Sequence, residues 1–321
     1  MFAIWLENQT LSIRENLPIP TPKQGDALIH MLLAGICNTD LELCRGYYPY
    51  QGVLGHEFVG QVVEAPGFQE WVGKRVVGDI NIACGQCENC QTGRPHHCDR
   101  RSTLGIANYD GCFSEFFVLP VKNLYTVPRE VPDEMAVFSE PLAAALEIQE
   151  QVSIHPDERV LVIGAGRLGL LVAQILALTG CELKVLARRP RSQMILTNYN
   201  IPFITENEIQ PHKADIVVEA TGTPAGFELA RLAVRPAGTI VVKSTYKDKV
   251  QMDLSSIVVD EIKLVGSRCG PHAAALRLME KGIIDPRPLI ESYFPLGDGL
   301  SAFKLASQPG ILKVLLKPGQ G

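Results

Sequence analysis

Cys37, Thr39, His56 and Glu57 stand in two short glycine-flanked segments, Gly35-Ile36-Cys37-Asn38-Thr39-Asp40 and Gly55-His56-Glu57-Phe58-Val59-Gly60. Thiolate, imidazole and carboxylate are the ligand types of a catalytic zinc, which keeps one position open for water or substrate. Gly55 and Gly60 permit turns and close approaches that a side chain would block. Taken alone, His56 reads equally well as a satisfied histidine at the end of a strand. The other motifs of the chain decide between the two.

A denser group follows: Cys84-x2-Cys87-x2-Cys90-x7-Cys98. Four thiolates close a tetrahedral zinc site with no open position, which is structural rather than catalytic. The alternative is a set of free or pairwise-oxidised thiols. Crowded cysteines in a chain with no secretion signal point to metal more than to disulfides. His96 and His97 could substitute as ligands, but four cysteines already satisfy zinc. Cys44, Cys112, Cys181 and Cys269 lack such spacing and read as small core residues.

The third chemical feature is Gly164-Ala165-Gly166-Arg167-Leu168-Gly169. It directly follows a buried strand, Arg159 to Ile163, and opens a helical stretch over 170–179 closed by Gly180. Strand, glycine motif and helix in that order are the context of a dinucleotide site, with the pyrophosphate at the helix N-terminus. The next strand, Glu182 to Ala187, ends at Arg188 and Arg189, with Arg191 close behind. NAD sites carry an acidic residue there for the ribose hydroxyls, whereas guanidinium groups bind a 2′-phosphate. NADP is therefore the expected cofactor. The alternative is a solvated turn that admits either NADP or NAD.

The elements around these residues fall into two groups. Up to about residue 140, short strands at Phe2–Trp5, Leu11–Ile13, Ala27–Leu33, Val59–Val63, Arg75–Val77 and Phe113–Leu119 are punctuated by Gly and Pro and imply a compact, barrel-like β domain. Beyond it, strands at Asp215–Glu219, Thr239–Lys243 and Ile262–Val265, with a helix near Phe227–Val234, imply a doubly wound parallel sheet. A helix over 273–281 and a strand over 312–316 form a tail that returns to the first domain. The predicted domains are thus 1–140 with 270–321, and 141–269.

The chain of 321 residues carries a net charge of −5 and no dense Lys/Arg run, which argues against nucleic acid and anionic membranes as partners. The apolar tract from Val160 to Cys181 divides into strand, turn and helix rather than a membrane span, and Met1 to Leu6 has no basic flank of a signal peptide. A soluble cytoplasmic protein is expected.

In these motifs and their order, nearly the whole chain resembles the zinc-dependent medium-chain dehydrogenases of the alcohol dehydrogenase family. Glu140-Pro141-Leu142-Ala143 and Glu219-Ala220-Thr221-Gly222 complete the match. The resemblance implies an α/β protein with a GroES-like β-barrel catalytic domain and a Rossmann domain. It implies two Zn2+ per chain. Cys37 and His56 would bind the catalytic ion, Glu57 directly or through water, and Glu140 as the third ligand found in polyol and sugar dehydrogenases. Cys84, Cys87, Cys90 and Cys98 would bind the structural ion. Gly164 to Gly169, Arg188, Arg189, Arg191 and Thr221 would contact NADP or NAD, and a homodimer or homotetramer is the expected assembly. The implied reaction is reversible hydride transfer between a small-molecule alcohol (secondary alcohol, polyol or sugar) and the nicotinamide, with Thr39 passing the hydroxyl proton outward. Where liver-type members end that relay in a histidine, this chain has Glu42. Two rival readings are a zinc-free reductase of activated double bonds and a non-enzymatic NADP-binding regulator. The first lacks the four-cysteine group, and the second has no need of an intact ligand set.

Overall fold

The structure, a computed structural model, describes residues 1–246 and 249–319. It divides into two compact units, Met1–Glu140 with His272–Gly321, and Pro141–Pro271. Gln320 and Gly321, the last residues of the predicted return segment, lie outside the described residues.

The first unit is built on a seven-stranded sheet. Its path runs Leu124–Thr126, Arg75–Gly78, Glu57–Glu64, Asp26–Gly35, Lys313–Lys317 and Ile290–Pro295, with Phe116–Pro120 also paired to Asp26–Gly35. A smaller sheet joins Thr10–Arg14, Ala3–Glu7 and Gly52–Val53. Ile29, Met31, Val59, Val62, Val76, Phe117 and Leu119 are buried and supply part of the core of the larger sheet. Lys313–Lys317 pairs antiparallel with Asp26–Gly35, setting Leu315 against Gly35.

The predicted strand Phe113–Leu119 begins only at Phe116. Phe113 instead lies under the chain at Gly55, where a Cβ would sit 2.3 Å from its ring. Gly55 also has φ +99°, so only glycine suits that position. The sequence pattern also missed several helices: Asn38–Cys44, Ser139–Gln151, Pro190–Asn198, Leu254–Val259 and Gly299–Ala306. The 13-residue helix Ser139–Gln151 is buried along most of Leu142–Ile148, so its apolar face is too broad to read as a stripe.

The second unit carries a six-stranded, wholly parallel sheet in the order Phe203–Ile204, Glu182–Leu186, Arg159–Ile163, Ala214–Glu219, Val234–Val242, Lys263–Gly266. The chain starts in the middle, winds to one edge, then resumes beside its first strand. This is the Rossmann arrangement, whose ligand crevice lies beyond the carboxyl ends of the strands at that switch point. Leu161, Ile163, Val217, Phe227 and Ile240 form part of its core. Among the described residues no helix is long and apolar enough to cross a membrane.

Candidate active site

Sheet register brings the first cluster together. Strand Asp26–Gly35 pairs Gly35 with Glu57, the first residue of Glu57–Glu64. Cys37 follows the former strand and caps the helix Asn38–Cys44, with its N–H donated to Asp40 Oδ2 at 2.8 Å. The ligand atoms of Cys37, His56 and Glu57 consequently lie within 4.8 Å of one another, with His56 and Glu57 buried and Cys37 half-buried. Glu140, in the first turn of Ser139–Gln151, is not a member of that cluster.

Asp40 is fully buried, and its Oδ1 lies 3.2 Å from His56 Nδ1. The two atoms are close without the alignment of a hydrogen bond. Burial alone would depress the imidazole pKa, but the charges of Asp40 and Cys37 outweigh it and push His56 well above its ordinary value. The pocket therefore stabilises positive charge at the ring. Nδ1 facing a carboxylate is also the arrangement that orients a metal-bound imidazole and leaves Nε2 to the ion. Thr39 Oγ1 is 3.8 Å from Cys37 Sγ. Glu42 is engaged by Arg45 at 2.7 Å.

Glu57 is not an unencumbered carboxylate. Lys313 Nζ donates to its Oε2, and the lysine and glutamate side chains are 3% and 1% exposed. Lys313 was not foreseen as part of this region. Its signal was a lone charge inside the apolar run Ile311-Leu312-Lys313-Val314-Leu315-Leu316, since a buried ammonium needs a partner.

The four cysteines also converge, with all sulfurs within 4.8 Å. Neighbouring Sγ atoms lie 3.5 Å (Cys87–Cys90), 3.8 Å (Cys87–Cys98) and 4.0 Å (Cys84–Cys90) apart. Tetrahedral zinc with bonds of about 2.3 Å requires sulfurs about 3.8 Å apart, so the group fits the ion. The N–H groups of Gln86 and Cys87 hold Cys84 down to about 6. Burial and the neighbouring thiols push Cys90 up to about 12. Of the remaining cysteines, Cys112 is buried, and Cys44, Cys181 and Cys269 are half-buried.

In the second unit, Gly164 has φ +109°, and a Cβ on Gly169 would lie 1.7 Å from the Gly164 carbonyl, so turn and helix Arg167–Ala177 pack backbone to backbone. A Cβ at Gly166, the helix N-cap, would meet nothing within 4 Å. An open cradle at the N-terminus of an 11-residue helix fits a pyrophosphate. Ser192 donates to the Ala165 carbonyl at 2.7 Å and ties helix Pro190–Asn198 to the turn. The buried Glu219 braces the neighbouring loop by accepting from the N–H groups of Thr221 (2.6 Å) and Gly222 (3.2 Å) and from the Tyr246 hydroxyl. Thr221 Oγ1 lies 2.9 Å from Thr223 Oγ1. Arg188 is exposed and bonded to Glu206, and Arg189 caps helix Pro190–Asn198.

Residues 23–129 match the alcohol dehydrogenase GroES-like domain family. The chain is 31% identical to the starvation-sensing protein RspB of Escherichia coli strain K12, over 93% of this chain and 94% of that one. It is 29% identical to an L-threonine 3-dehydrogenase of Pyrococcus horikoshii, over 85% of each. A provisionally assigned zinc-binding dehydrogenase of Sinorhizobium meliloti 1021, solved with NADP bound, superposes with a TM-score of 0.90 at 28% identity over 99% of both chains. With a GroES-like sheet, a Rossmann sheet and a relative above 30% identity along nearly its full length, the chain belongs to the medium-chain dehydrogenase family of alcohol dehydrogenases.

Proposed function

We propose that this protein is a zinc-dependent dehydrogenase that oxidises a secondary alcohol, polyol or sugar reversibly, using NADP in preference to NAD. The observation that carries the reading is the convergence of Cys37 and His56, a sulfur and a nitrogen donor, beside the buried carboxylate of Glu57, all within 4.8 Å of one another. Cys37 and His56 would hold the ion. Because Lys313 already neutralises Glu57, Glu140 is assigned as the carboxylate ligand and Glu57 as its neighbour in reserve. When bound, zinc supplies Lewis-acid polarisation of an alcohol or carbonyl oxygen, and the nicotinamide accepts or donates the hydride.

The chain's own residues supply orientation and proton handling. Asp40 faces His56 Nδ1 and would leave Nε2 to the ion. Thr39 takes the proton from the substrate hydroxyl and passes it outward, since a threonine hydroxyl accepts and donates at once. The four-cysteine group holds a second, structural zinc. Gly164 to Gly169 receive the pyrophosphate, and Arg188, Arg189 and Arg191 receive the 2′-phosphate. The similarity to an L-threonine 3-dehydrogenase supports a secondary alcohol as substrate.

The reading is tested by incubating the full chain with NADP or NAD and a panel of secondary alcohols, polyols and sugars, with and without a zinc chelator, while following reduced nicotinamide. Turnover that the chelator abolishes is expected. Chelator-insensitive reduction of activated double bonds alone, or NADP binding with no turnover on any panel member, would overturn it.

A further inference from the structure

Arg188, assigned above to the 2′-phosphate, already has an anionic partner. Its Nη2 donates to Glu206 Oε2 at 2.5 Å, with side chains 61% and 50% exposed. The contact follows from the sheet. Phe203–Ile204 runs parallel to Glu182–Leu186, setting Ile204 against Leu186, and the Ala187 N–H donates to the Ile204 carbonyl at 3.0 Å. The two neighbouring strands therefore release Arg188 and Glu206 side by side at their carboxyl ends, where this sheet type binds its ligand.

Glu206 is also held in place. It opens the 3-10 turn Glu206–Glu208, and Glu208 folds back to accept from the Thr205 N–H at 2.8 Å and the Thr205 hydroxyl at 2.7 Å. Glu208 is thereby occupied, and Glu206 is the carboxylate presented to Arg188.

We propose that Glu206 is a specificity-determining residue for the cofactor, competing with the 2′-phosphate for Arg188 and so moderating the preference for NADP over NAD. The proposal rests on the assignment of Arg188 as the phosphate-reading residue. Any anion that reaches Arg188 Nη2 must share it with a carboxylate oxygen 2.5 Å away, or displace that oxygen. A phosphate monoester carries nearly two negative charges at neutral pH, so it loses an ion pair and meets a like charge on arrival. NAD brings no such charge. Its ribose hydroxyls are donors, and a carboxylate at the carboxyl end of this sheet is what accepts them in NAD sites. Here that carboxylate comes from the adjacent strand, because Arg188 occupies the usual place.

The test measures binding and is independent of turnover. Dissociation constants for NADP and for NAD are measured by calorimetry on the full chain for wild type, Glu206→Gln, Arg188→Gln and the double variant, at low and at physiological salt. Glu206→Gln is expected to tighten NADP by about 3- to 10-fold, the scale of an exposed ion pair plus a like-charge contact, without tightening NAD. The gain should shrink as salt rises and vanish in the Arg188→Gln background, the sign of coupling between the two side chains. The circular dichroism spectrum and thermal midpoint of each variant serve as the control for folding. If Arg188→Gln lowers the NADP-to-NAD ratio and Glu206→Gln leaves it unchanged, the role of Glu206 is overturned and the phosphate assignment stands. If Arg188→Gln leaves the ratio unchanged, the assignment fails and the proposal with it.

Discussion

Lys313 and Glu57 form an ion pair in the interior of the first unit, joining the last strand to the strand that carries a candidate metal ligand. Lys313 Nζ also lies 3.4 Å from the Ile36 carbonyl and 5.8 Å from the centre of the Phe138 ring. The pair exists because position 35 is glycine. A Cβ there would stand 2.6 Å from Glu57 Oε2 and 3.2 Å from Lys313 Cδ. Three segments far apart in sequence are thus locked beside the Cys37–His56 pair.

Removing one partner of a buried pair leaves the other charge uncompensated. Lys313→Met should therefore destabilise the protein by about 3–5 kcal/mol, and the double variant Lys313→Met/Glu57→Gln should recover a large part of that loss. Denaturant unfolding of the two variants checks this. A midpoint unchanged by Lys313→Met would mean that Glu57 is solvated or neutral and that the pair contributes nothing.

If the four cysteines and the Cys37–His56 group each hold an ion, elemental analysis should give close to two zinc ions per chain. Cys37→Ser should lose one ion and turnover while the fold persists. Cys90→Ser should lose the other and lower the thermal midpoint, because a structural zinc contributes folding free energy directly. A single ion retained by Cys37→Ser and lost by Cys90→Ser, with wild type also holding only one, would remove the catalytic site from the reading.

Much of this was legible because local chemistry and local structure coincide. The strand, glycine turn and helix at 159–177 are contiguous, so pattern and motif reinforce each other. The four cysteines likewise lie within one short segment, 84–98. What was missed is long-range. Lys313 reaches Glu57 only through the pairing of Lys313–Lys317 with Asp26–Gly35, and Glu206 meets Arg188 only because two strands run side by side. Neither contact leaves a spacing signal. Helix Asn38–Cys44 was hidden for a different reason, being a single short element whose start is capped by a cysteine rather than a usual capping residue.

Glu140 separates two coordination schemes. If it supplies the carboxylate ligand, Glu140→Ala should lose the catalytic ion or most of kcat, while NADP binding to the second unit persists. Zinc content near that of wild type, together with unimpaired turnover, would assign the third ligand to Glu57 or to water instead.

His272 provides a pH test in the first unit. The ring is buried, stacks on Tyr125 with centroids 5.2 Å apart, and has Nδ1 3.1 Å from Ser139 Oγ. Burial lowers its pKa from 6.5 to about 4, with Asp79 opposing the shift and His96 adding to it. The folded state thus refuses a proton that the unfolded chain accepts below 6.5. Stability from this group is fully present above the unfolded value and is lost as pH falls toward the folded one. The loss proceeds at about 1.4 kcal/mol per pH unit and amounts to about 2 kcal/mol between about pH 7 and about pH 5. His272→Phe keeps an aromatic ring against Tyr125 but cannot titrate. It leaves the Ser139 hydroxyl without its partner, so it should be less stable near pH 7 by about 1–3 kcal/mol. Its unfolding free energy should nonetheless fall less steeply toward pH 5 than that of wild type. Urea unfolding of both proteins across this range reads the difference in slope, in which the contributions of all other groups cancel. Parallel curves would show that His272 takes up its proton as readily in the folded protein as in the unfolded chain.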